Sequence, residues 1–253
     1  MMFLPPGVDA FTATLLIVIS FFTSALTAAF GIGGGVAMLG ALAGTVPPAV
    51  ILAVHGLVQL GSNMGRAFIQ KDHANWRLFG LFMVGAVIGV ALGAWLFRAM
   101  PESVLLAMLG LFILVMVWVP KPRIPGLDRA GMVLGGGISS VLTMFVGATG
   151  PFIQSLLMPL GLDRKQIVAT QAVMMTAQHA LKVAAFSFIG IALVPWLPLI
   201  AAMVVSGFLG TVMGTKLLDR MSERFFQIAL KIVLTIVALD LLRRAAGITI
   251  PSQ

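Results

Sequence analysis

The chain has 253 residues, of which 60% are hydrophobic and only 9% charged, with a mean hydropathy of +1.09. A soluble domain carries about a quarter charged residues, so a water-soluble fold is excluded, and uncharged runs recurring from end to end mark spanning helices. The net charge of +8 with no cysteine fits positive-inside loops rather than a nucleic-acid footprint, and leaves neither a disulfide nor a thiolate metal site.

The N-terminal stretch MMFLPPGVDAFTATLL has neither a basic n-region nor a small-residue cleavage site, so no cleaved signal peptide is expected. Hydropathy then predicts spans near residues 10–30, 49–70, 76–98, 102–120, 130–146, 165–189, 194–216 and 223–243. Each is about the length a bilayer core requires. Between the first and second lies a glycine-rich piece near 33–46, inside FGIGGGVAMLG; between the fifth and sixth lies GATGPFIQSLLMPLG, 147–161. Both are too short for ordinary spans and fit half-helices or re-entrant segments. The expected fold is an all-α integral membrane protein with about eight transmembrane helices and these two short segments.

Basic residues orient it. Arg66, Lys71 and Arg77 flank one turn, and Lys121, Arg123 and Arg129 lie in the linker PKPRIPGLDR. Arg164 and Lys165 follow the second short piece, and Lys216, Arg220 and Arg224 precede the last span. All fall on one side if each short piece also changes sides, which puts the linker in the cytoplasm and both termini outside. Arg243 and Arg244 disagree, since they would be outside. An internal repeat agrees: Phe30–Gly35 matches Phe145–Gly150, and GVALGAWLFRAMPES matches GTVMGTKLLDRMSER. Residues 1–120 and 130–253 then form two inverted membrane repeats joined by 121–129, a plan in which interrupted segments mark the substrate site. Gly85, Gly89 and Gly93 read mostly as close helix packing.

A broken helix inside a membrane frees backbone N–H groups, and a half-helix N-terminus carries roughly half a positive charge. Gly33, Gly34 and Gly35, with Gly147, Thr149 and Gly150, would let an anion approach that backbone; Pro151 suits a first helical turn. The spans that follow each break are polar. His55, Gln59, Ser62, Asn63 and Arg66 fall within about 100° of arc, and Gln171, Gln178 and Lys182 share a face beside Met174 and Met175. Such stripes line a cavity or bond a neighbouring helix. Arg66 could equally snorkel toward Lys71 and the interface. His55 lies on its stripe and could donate to an anion or take up a proton. His179 lies about 80° from the centre of the Gln178 stripe and reads as a packing or hydrogen-bonded residue. No acid accompanies the histidines, so no metal site or other cofactor is expected. Lys231 is a further candidate charge, beyond reach of Asp240. Acids occur only near ends and turns, and an amide-rich, positive interior implies an anionic substrate.

At FGIGGG, MFVGATGPFIQSLLMPLGL and VATQAVMMTAQHALK the chain resembles the TauE/SafE family of sulfite and organosulfonate exporters, small anion permeases with two repeated halves. Ala148 and Thr149 stand where that family has glycines, and Val36 where it has proline. The resemblance implies a secondary transporter, not an enzyme. It would export sulfite, sulfoacetate or a similar small anion across a bacterial inner membrane, with an anion channel as the alternative. Expected partners are the anion and the bilayer, with room for a coupling ion (proton or sodium) and for homo-oligomers; nucleic acid is not expected.

Overall fold

Apolar runs of this length can pair their backbone groups without water only as helices, and every regular element among the described residues is helical. The computed structural model describes residues 4–30, 33–119, 129–218 and 223–248. The expected linker, except Arg129, lies outside them. The long helices are α1 Ala10–Phe30, α3 Pro48–Gln70, α4 Trp76–Arg98, α5 Glu102–Trp118, α6 Arg129–Val146, α8 Arg164–Phe188, α9 Leu197–Leu218 and α10 Glu223–Ala245. Two short ones, α2 Gly34–Thr45 and α7 Gly150–Leu157, fall where the glycine-rich pieces were expected.

Local sequence sets several of these ends. Asp9 accepts from the Thr12 N–H at 2.7 Å and caps α1, a contact that holds its carboxyl below the usual carboxylate range. Asn75 caps α4 through the Leu78 N–H at 3.1 Å, and Asp163 with Gln166 forms a capping box at α8. Among the described residues, α1, α4, α6 and Val194–Met213 are long and apolar enough to cross a membrane, which makes this a multi-pass membrane protein. α2 and α5 are apolar but shorter. The polarity of α3 and α8 has a separate cause: they carry the two stripes.

α4 packs along α6 and α1 along α9, while α3 lies on α8 and α5 on α10. The first two seams are glycine contacts. Gly85 and Gly89 sit against the backbone of Val133 and Gly137, Gly136 against the Phe82 carbonyl, and Gly210 against the Phe21 carbonyl, with no room for a Cβ. α1 and α9 are also pinned by hydroxyls, Ser20 Oγ donating to Met203 O at 2.7 Å and Ser206 Oγ to Ile17 O at 2.8 Å. α2 runs inside, its residues 36–40 all buried, whereas Phe11, Trp95 and Phe188 face outward. That arrangement carries the first break to the centre of the bundle, against the second.

Candidate functional site

The first break turns on Gly33, whose φ of +99° is cheap only for glycine. The Ala37 N–H bonds back to Gly33 O at 3.0 Å, so α2 leaves the N–H groups of Gly34, Gly35 and Val36 without an intrahelical acceptor. The second break turns on Gly147, with φ +78°. There the Ile153 N–H bonds back to Thr149 O at 3.1 Å; Pro151 has no N–H, and those of Gly150 and Phe152 are left over. The two breaks touch, because a Cβ on Gly35 would stand 3.8 Å from that of Ala148. Two positive helix ends therefore meet.

A cavity of about 20 Å³ lies at this meeting, room for about one water. Gly33 and Gly35 wall it from the first break, and Gly147, Ala148, Gly150 and Pro151 from the second. α3 adds His55, Gln59 and Arg66; α8 adds Gln171, Met175 and His179; α1 adds Thr27. His55 Nε2 lies 3.0 Å from the Gly35 carbonyl and donates to it, and Gln59 Nε2 lies 3.4 Å from the same ring nitrogen. Gln171 Nε2 donates to Gly150 O at 2.9 Å. Each polar stripe is thus fastened to one of the breaks.

Five of the expected site residues do not reach the cavity wall. Gly34 faces away: a Cβ there would strike Thr23 O and Thr27 Oγ1, so it is a packing glycine between α1 and α2. Thr149 Oγ1 donates to Gln178 Oε1 at 2.9 Å, and Gln178 Nε2 donates to Ser139 and Ser140 at 2.8 and 3.0 Å. That pair binds α6, α8 and the second break together. Asn63 Nδ2 donates to Gln59 O, and its Oδ1 accepts from Arg66, so it positions the arginine. Lys182 is fully buried with Nζ over the Phe186 ring, 5.6 Å from its centroid, and its stem beside Gly56.

Two titratable residues outside the expected set, Arg66 and His179, line the cavity. Arg66 does not snorkel toward Lys71; it is 7% exposed, bound to Asn63, with Nε unpartnered. The stripe on α3 already contained it. His179 is fully buried and lines the cavity, and among the described residues neither ring nitrogen has a hydrogen-bond partner. The cavity meets α8 along Gln171, Met175 and His179, a flank that a wheel drawn for one helix cannot single out. Lys231 is exposed above the Trp118 ring, and Asp240 pairs instead with Arg243 at 2.7 Å.

Lys182→Met should therefore raise stability by about 1–2 kcal/mol, since a long apolar chain replaces an amine without a hydrogen-bond partner. Anion affinity should change less than about fivefold, the attenuation expected of a charge that lies behind the wall. Thermal melting and calorimetry on one preparation check both; a larger loss of affinity would put Lys182 back at the ligand.

The family model described as Sulfite exporter TauE/SafE matches residues 16–241, from within α1 to within α10. No curated protein matches the chain.

Proposed function

This chain belongs to the sulfite exporter TauE/SafE family of membrane transporters, and from that premise we propose that it carries a small anion, sulfite or sulfoacetate, outward across a bacterial inner membrane. One observation supports this most: two half-helix N-termini meet at a cavity whose lining, among the described residues, includes Arg66 and two histidines and no carboxylate. Their leftover N–H groups, with Arg66 as charge, suit an oxyanion bound between the breaks. A cavity this small must open to admit even sulfite, which suits a carrier that changes shape around its substrate rather than a channel, which needs a continuous polar path.

Exchange of partners between halves supports the inverted repeat. If α1–α5 correspond to α6–α10, the α4–α6 and α1–α9 seams are the same contact made twice, and α3–α8 and α5–α10 each join a helix to its own counterpart. Residues 1–120 and 130–253 would then be the two repeats, with 121–129 cytoplasmic. Cysteines placed at the exposed positions His73 and Ala192 should react with an impermeant reagent from opposite sides. Equal labelling in intact cells would sink the topology.

The function is tested by sulfite and sulfonate flux into proteoliposomes. Saturable flux is expected. Absence of flux with every small sulfur oxyanion overturns the reading, and currents far above carrier rates would make the protein a channel.

A further inference from the structure

Resting on that transport reading, we propose that His179 takes up a proton together with the anion, so that each substrate enters the cavity with one proton. His179 is fully buried, lines the cavity and has no hydrogen-bond partner at either ring nitrogen. A neutral imidazole always holds one N–H and one lone pair, and leaving such groups buried and unpaired is unfavourable. Its neighbour His55 is differently placed. The two ring centroids are 6.1 Å apart at 73°, but His55 already spends Nε2 on the Gly35 carbonyl.

The charged surroundings decide what a proton on His179 would meet. Lys182 on its own helix, with His55 and Arg66 on α3, lies within electrostatic reach. The other helices packed on α8 add nothing closer: α4 has Arg77 and Arg98 at its ends, α6 has Arg129 at its start, and α7 has no titratable residue. The turn 71–73 carries Lys71, Asp72 and His73, all exposed. Among the described residues no carboxylate therefore balances an imidazolium here. An anion in the cavity would, and the imidazolium would offer it two N–H donors. Ligands of opposite charge in one site strengthen each other's binding, and that coupling is reciprocal.

The test uses the full chain in detergent with sulfoacetate and methanesulfonate, whose charges stay constant across about pH 6–8, where imidazoles ordinarily titrate. Calorimetry in two buffers of different ionisation heat should show about one proton taken up per anion by the wild type. His179→Gln should bind more weakly and take up none; His73→Gln, at an exposed turn outside the site, should keep the uptake. Ring nitrogens are followed directly in protein labelled at its three histidines, assigned with His55→Gln and His73→Gln. The His179 signals should move to the doubly protonated position when anion is added, which decides the matter even if His179→Gln binds too weakly to measure. Anion binding without proton uptake, unchanged uptake in His179→Gln, or unmoved His179 signals in the anion-bound wild type each overturn the proton role while leaving transport intact. Failure of the wild type to bind sulfite or either sulfonate overturns the transport reading, and this role with it.

Discussion

Replacing Gly34 by valine is expected to leave no folded transporter. The Cβ alone would overlap the Thr23 carbonyl and the Thr27 hydroxyl of α1, and backbone cannot swing aside as a side-chain end can. Overpacking a fitted core usually costs about 1–3 kcal/mol; separating α1 from α2 would cost more, because it pulls the first break out of register with the second. Gly35 provides the control. A Cβ there meets Gln59 Nε2 at 2.8 Å, the far end of a flexible side chain, so Gly35→Ala should fold and show its defect in binding. Size-exclusion profiles in mild detergent distinguish the two. A monodisperse, wild-type peak from Gly34→Val would mean that α1 and α2 are not packed as described.

Arg66→Met should weaken sulfite binding by about a hundredfold while the protein still folds. Among the described residues Arg66 is the one arginine in the cavity wall, and its Nε has no hydrogen-bond partner. A charge-assisted hydrogen bond is worth about 1.5–3 kcal/mol, or roughly 10- to 150-fold in affinity, and an arginine can present two such donors to one oxyanion. Methionine keeps much of the apolar stem, and the loss of a buried charge offsets the lost bond to Asn63, so the melting temperature should move little. Lys in place of Arg66 should recover only part of the affinity, since an ammonium lacks the planar fork. Asn63→Leu should give an intermediate loss, because it frees the guanidinium without removing it. Binding calorimetry with melting curves on the same samples reads all three. Sulfite affinity unchanged in Arg66→Met would place the anion elsewhere.

The distribution of apolar and charged residues was enough to place the helices. Runs such as 10–30 and 76–98 have no alternative to a membrane helix, and the observed α1 and α4 begin and end where hydropathy put them. The breaks were equally legible. Glycine clusters that interrupt such runs cannot continue a stable helix, and Gly33 and Gly147 indeed take positive φ. Which polar residues would share a stripe on α3 also follows from helical spacing, since 100° per residue is a local rule.

What a stripe faces is not local. His55, Gln59 and Arg66 reach the cavity, while Asn63 on the same arc is consumed in holding Arg66. Gln178 and Lys182 share a face with Gln171, yet only Gln171 of the three lines the cavity; Gln178 is claimed by Thr149 and two serines of α6. Gly34 lies between two glycines that wall the cavity, but its neighbour is the backbone of α1. The sequence by itself determined that this is a multi-pass helical protein with two interrupted helices and polar stripes beside them, because hydropathy and helix periodicity act within one segment. Only the tertiary structure decided which of those polar groups reach the cavity, because the contacts that claim Gln171 and Gln178 come from the second break and from α6, elements distant from α8 in sequence.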